Sequence, residues 1–166
     1  MKAIYAGSFD PITHGHLSII RSASEIFEEL HVVIAKNVDK KYSISLEDRE
    51  RLIRESIDEI GCGENCTIGV IENDFLVSYA QEHDYEIIVR GLRNQQDFIS
   101  EKGMKHINDD ISNRHVNTMY LIPPRELCEV SSSMVRGLIG FNDWERVARK
   151  YVTASVLNYY KKLMDK

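Results

Sequence analysis

Short apolar runs alternate with longer segments of helical period along this chain. The runs Ala3–Ala6, Val32–Ala35, Thr67–Ile71, Glu86–Val89 and Thr118–Ile122 are rich in Ile and Val. Runs of that length and composition predict parallel strands buried on both faces. Between them, Leu17–Leu30 carries apolar residues at 17, 20, 23, 27 and 30, the spacing of one helix face. Ser45–Ile60 opens on Ser45-x-x-Asp48, an N-terminal capping pattern, and stops at Gly61. Segments 75–83 and 95–110 continue the alternation. The order predicts an α/β fold: a Rossmann-like open parallel five-stranded sheet with helices on both faces. Beyond Ser133 the pattern is helical throughout, giving a helical C-terminal tail that includes the amphipathic stretch Val152–Met164. No repeat, low-complexity tract or linker interrupts residues 1–166, so one domain is expected.

In open parallel sheets, ligands bind beyond the carboxyl ends of the strands. The polar residues with most chemical content fall there. Ala6-Gly7-Ser8-Phe9-Asp10-Pro11-Ile12-Thr13-His14-Gly15-His16 joins the first strand to the first helix. Unpaired N–H groups at a helix start, together with the helix dipole, favour a phosphate at such a junction. Gly7 permits close backbone approach, and His16 falls in the first helical turn, where an imidazole N–H donates to a phosphoryl oxygen. His14 and His16 are two residues apart and do not share a helix face, which argues against a metal pair. Arg90 ends the fourth apolar run in Arg90-Gly91-Leu92-Arg93, and Ser131-Ser132-Ser133-Met134-Val135-Arg136 follows the fifth. Arg binds phosphate with a planar fork. Consecutive serines at a helix start offer hydroxyls and N–H groups to phosphates. Lys40 and Lys41 lie beyond the second run, where a lysine pair alone reads as solvated surface.

Taken together, Gly7-x-Phe9-Asp10-Pro11 with Thr13-x-Gly15-His16, Arg90-Gly91-Leu92-Arg93 and the triple serine resemble the nucleotidylyltransferase superfamily. Within it they resemble the bacterial phosphopantetheine adenylyltransferase family over roughly residues 1–140. The resemblance implies transfer of the adenylyl group of ATP to 4′-phosphopantetheine, giving dephospho-coenzyme A and pyrophosphate, with Mg2+ accompanying ATP. It implies His16, Lys40 and Arg90 as the catalytic set. It places Ser8, Phe9, His16, Gly91, Leu92, Arg93, Glu101 and Leu127-Cys128-Glu129-Val130-Ser131-Ser132-Ser133 at ATP. Ser8, Lys40, Leu76 and Arg90 fall at the acceptor. Homohexameric assembly and feedback by coenzyme A are also implied. On residue chemistry alone, Phe9 is better suited to packing the turn, Asp10 to shaping the loop, and Leu76 to the core. Leu127-Cys128-Glu129 replaces the usual aromatic-rich approach to the serines, and the tail with Trp144 and Tyr159-Tyr160 is atypical.

The chemistry that this implies needs no general base. A phosphate monoester is largely dianionic at neutral pH, its second pKa being about 6. The barrier is electrostatic, because two anions must meet and a third must leave. Catalysis then rests on positioning and on cationic or N–H donors. Competing readings are another nucleotidylyltransferase, such as a nicotinamide mononucleotide adenylyltransferase, and a non-catalytic nucleotide sensor. The cytidylyltransferase signature Arg-Thr-x-Gly-Ile-Ser-Thr-Thr is absent. A tRNA synthetase fragment shares the turn, but 166 residues leave no room for an anticodon domain.

Composition narrows the partners. The net charge of −5 argues against nucleic acid, and no apolar run approaches membrane-spanning length. Without an apparent signal peptide, a cytoplasmic location is expected. Cys62, Cys66 and Cys128 lack a second ligand pair for zinc and read as reduced thiols.

Overall fold

The computed structural model describes residues 1–35, 41–112 and 116–165. Five strands, β1 (Lys2–Gly7), β2 (Glu29–Ala35), β3 (Cys66–Ile71), β4 (Ile87–Gly91) and β5 (Asn117–Leu121), form one sheet of order β3-β2-β1-β4-β5. Every pairing is parallel, with Lys2 opposite Glu29, Ala3 opposite Ile87 and Ile87 opposite Asn117. The connections are α1 (His14–Ile26), α2 (Leu46–Glu59), α3 (Leu76–Glu82) and α4 (Gln95–Ile111). A short 3-10 turn, Arg125–Leu127, precedes α5 (Ser132–Leu138), α6 (Trp144–Ala148) and α7 (Ala154–Met164).

Alternate strand residues point to opposite faces. Ala3, Tyr5, Val32, Ile34, Ile87 and Val89 pack with buried side chains of α1, α2 and α7, including Ile20, Leu52, Ile53 and Val156. Ile4, Ala6, Val33, Ile71 and Ile88 face the other way, against Val77 and Ala80 of α3. The strands are therefore apolar on both faces, which is why the pattern shows runs rather than alternation.

From β1 the chain builds outward through β2 and β3, then returns to place β4 and β5 on the other side. The order reverses between β1 and β4, and their carboxyl ends, Gly7 and Gly91, flank the resulting crevice. Ligands bind at such switch points in open parallel sheets.

Several boundaries differ from the sequence expectation. The first helix ends at Ile26 rather than Leu30, and Leu30 is a fully buried residue of β2. Phe27 and Leu30 join the same core cluster as the helix, so helical spacing persists by coincidence across the turn. β4 runs on to Gly91, placing Arg90 inside the strand. The second helix spans Leu46–Glu59, and Ser45 Oγ caps it by accepting from Asp48 N–H at 3.1 Å, as the capping pattern indicated.

α4 is unusual in burying no residue, although Phe98, Ile99, Met104 and Ile107 are apolar and about half exposed. By contrast α7 is tied to α2. Buried Thr153 and Ser56 share a hydroxyl hydrogen bond of 2.7 Å, and Glu59 accepts from the N–H groups of Ala154 and Ser155 at 2.9 and 2.8 Å.

Candidate active site

Thr13 starts α1 and forms a reciprocal cap with His16. The His16 N–H donates to Thr13 Oγ1 at 3.4 Å, and Thr13 N–H donates to His16 Nδ1 at 3.1 Å. A backbone N–H only donates, so Nδ1 is the acceptor and the neutral ring carries its proton on Nε2. Burial, and secondarily the positive charge of Arg93, lower the His16 pKa to about 4. At neutral pH this side chain is an uncharged Nε2–H donor.

The turn before it is held from beneath. Phe9 is buried with φ at +45°, and its ring stands edge-on to His16 and Tyr5, with centroids 5.2 and 5.7 Å away. A Cβ on Gly7 would lie 2.9 Å from that ring, so only glycine fits without displacing it.

Two arginines reach the crevice from β4 and the loop after it, and both meet carboxylates of α4. Arg90 Nε and Nη2 donate to Glu101 Oε2 and Oε1 at 2.7 and 2.5 Å, and Nη1 donates to Ala6 O at 3.2 Å. Arg93 Nε and Nη2 donate to Asp97 Oδ2 and Oδ1 at 2.9 and 3.1 Å. Burial would raise the Asp97 pKa, but its bonds to Arg93 override that and hold the carboxyl below its usual range. Asp97 and Glu101 are four residues apart, so they share one face of α4. Each guanidinium keeps further N–H donors after its fork is made, since Arg carries five.

The three serines also have fixed partners. Ser131 Oγ accepts from Met134 N–H as the cap of α5, Ser132 Oγ donates to Pro11 O at 2.7 Å, and Ser133 Oγ accepts from Arg136 at 3.2 Å. Ser131 and Ser133 act as acceptors in these bonds, which leaves their O–H protons for another acceptor. Arg136 also donates to the Asp10 carbonyl, with its guanidinium 3.5 Å from the Asp10 carboxylate.

These groups line one cavity of about 420 Å³ at the β1/β4 reversal. Of the residues expected there, Ser8, His16, Arg90, Gly91, Arg93, Glu101, Val130, Ser131, Ser132 and Ser133 line it. Six others do not form its wall. Phe9 lies under the turn. Leu76 begins α3 and packs on the opposite sheet face. Leu92 hydrogen bonds through its N–H to Leu121 O. Leu127 and Cys128 belong to the loop behind the serines, where the Cys128 thiol meets the Pro123 carbonyl, and Glu129 is exposed. Lys40 lies outside the described residues. His14 is turned away, its Nδ1 3.1 Å from Lys150 O.

The structure adds Tyr5, Ile19, Lys41, Tyr42 and Asp97 to the wall, together with Asp10 and Arg136, which the motifs contain but the expected ligand set did not include. Asp97 carried a signal, being four residues after Arg93 at a helix start. The placement of Lys41 carried none. Among the described residues no cluster of three or more His, Cys, Asp or Glu side chains could hold a metal ion.

The sequence model of the cytidylyltransferase-like family matches residues 4–138. A phosphopantetheine adenylyltransferase of Chromobacterium violaceum is 44% identical over 164 residues, covering 99% of this chain and 96% of that protein. The chain belongs to the phosphopantetheine adenylyltransferase family. Solved structures of similar fold include a Plasmodium falciparum nicotinic acid mononucleotide adenylyltransferase complexed with NaAD. It has a TM-score of 0.69 and 20% identity over 98% of this chain and 95% of that one. A Francisella tularensis bifunctional NMN adenylyltransferase/ADP ribose pyrophosphatase, complexed with AMP and a manganese ion, also has a TM-score of 0.69. Its identity is 15%, over 99% of this chain and 49% of that one. At these identities the two structures speak to the fold. No described helix is long and apolar enough to cross a membrane.

Proposed function

We infer that this protein transfers the adenylyl group of ATP to 4′-phosphopantetheine, releasing pyrophosphate and forming dephospho-coenzyme A. Family membership supports the reaction. The observation that carries the mechanism is the placement of the His16 imidazole and the Arg90 guanidinium on one cavity wall. A phosphate oxygen of the acceptor attacks the α-phosphorus of ATP, and the bond to the bridging α–β oxygen breaks, with its electron pair leaving on pyrophosphate. His16 donates its Nε2–H to an α-phosphate oxygen as charge builds there. Its neutrality is useful, since the donor needs no change of protonation during the step.

Arg90 and Lys40 are assigned to the acceptor phosphate, and Arg93 with Ser131 and Ser133 to the triphosphate. Ser8 serves both substrates from the turn. The carboxylates on the cavity wall are already engaged: Asp10 accepts from Ser43 and Ile44, Asp97 from Arg93, and Glu101 from Arg90. Magnesium is therefore assigned to the triphosphate as part of the substrate, held by phosphate oxygens and water, where it reduces the charge to be overcome. Leu76, Leu92, Phe9 and residues 127–129 are given supporting places behind the wall.

A homohexamer, feedback by coenzyme A and a cytoplasmic location complete the reading. The half-exposed apolar side chains of α4 support self-association, because a helix with no buried residue gains from a partner copy. Pyrophosphate release decides the substrate. It is expected with ATP and 4′-phosphopantetheine, and turnover with nicotinamide mononucleotide alone would overturn the assignment.

A further inference from the structure

Asp10 belongs to the signature turn, yet its carboxylate turns away from any ligand role and toward the chain entering α2. It is 3% exposed. Oδ1 accepts from Ser43 Oγ and from Ile44 N–H, each at 2.9 Å, and Oδ2 accepts from Ser43 N–H at 3.0 Å. A second tie crosses the same gap. Arg49, on α2 and 4% exposed, donates from Nη1 to Ser8 O at 2.7 Å, and its guanidinium lies 4.0 Å from the Tyr42 ring centroid. Arg49 Nε has no hydrogen-bond partner among the described residues, so the side chain keeps this pose at a cost.

Both ties end on residues 42–44, and Lys41 and Tyr42 form part of the cavity wall. Ile44, buried in the core, anchors the far end of that strap, and the two ties join the strap to the signature turn. We propose that Asp10 and Arg49 are positioning residues that clamp the strap Lys41–Ile44 to the signature turn, and so hold Lys41 and Tyr42 in place on the cavity wall where the phosphates react. The proposal rests on the adenylyl-transfer reading. Neither residue acts on the phosphates itself. The carboxylate is saturated by the strap and by Arg136, and the Arg49 guanidinium is covered by Tyr42.

The test uses Asp10→Asn in the full chain. An amide keeps one acceptor, but turns a donor toward the Ser43 or Ile44 N–H. Amide hydrogen exchange at Ser43 and Ile44 in the ligand-free protein reports the clamp whatever the reaction is. Exchange there is expected to quicken about tenfold or more, and kcat to fall about tenfold or more with a smaller change in the KM for ATP, because shifting this side of the cavity wall misaligns the reacting groups and costs turnover first. Arg49→Met is the second variant, and the same paired outcome is expected should Asp10→Asn fail to fold. Faster exchange with unchanged kcat would overturn the proposal, as would lost turnover with the two amides still protected. A wild type that does not turn over 4′-phosphopantetheine would instead defeat the functional reading, leaving the exchange result to stand.

Discussion

At the scale of single residues, His16 carries the clearest consequence. Its Nδ1 is taken by Thr13, its ring is half-buried, and its pKa lies at about 4. A lowered folded pKa means that the neutral donor persists as pH falls through 6.5 and is lost only near the folded value. The acid limb of kcat/KM, which reports the free enzyme, should therefore show no inflection near 6.5 from this residue. His16→Ala should reduce kcat by about 10²–10³-fold, with a smaller change in ATP affinity by calorimetry, since the bond strengthens in the transition state. Unchanged turnover would remove the imidazole from the chemistry. His16 was legible in the sequence because Gly7, Pro11 and Gly15 announce a turn built around it. The partnership of Arg90 with Glu101 was not. They lie eleven residues apart on a strand and a helix, and only their packing brings the fork onto the guanidinium. Glu101 takes the Arg90 fork on the cavity wall, where the family resemblance places it at ATP.

At the scale of elements, the helices divide into those anchored by packing and those anchored by charge. α4 buries no residue and meets the cavity through Asp97 and Glu101, so two ion pairs locate its first turns. α7 illustrates a different device. Its N-cap residue Thr153 makes no side-chain cap, because its hydroxyl is spent on Ser56, and Glu59 reaches over from α2 to take the Ala154 and Ser155 N–H groups. Glu59→Ala should cost about 1 kcal/mol, the usual loss for a helix cap, read as a lowered urea midpoint with unchanged slope. An unchanged midpoint would show that water serves those groups equally well. Element type was readable from apolar runs because the central strands β1, β2 and β4 are buried on both faces, and the edge strands β3 and β5, only partly buried, are still largely apolar. The α1–β2 junction was not, because Phe27 and Leu30 sit in the same core as the helix and keep its spacing past its end.

For the whole molecule, the decisive feature is the reversal of strand order between β1 and β4. It brings the signature turn, Arg90 and the serine cap to one rim, although they span more than 120 residues of chain. The alternation of elements and the motifs at strand ends made that rim foreseeable. The strap at 41–44 and its clamp were not, since they depend on a buried carboxylate meeting backbone N–H groups that no side-chain pattern encodes. In the proposed mechanism both substrates occupy this rim together and react directly, without an adenylyl group resting on the protein. Exchange of labelled pyrophosphate into ATP tests it. Label should enter ATP when 4′-phosphopantetheine is present and stay out when it is omitted. Incorporation without the acceptor would reveal a covalent intermediate on a group such as His16 and contradict that mechanism.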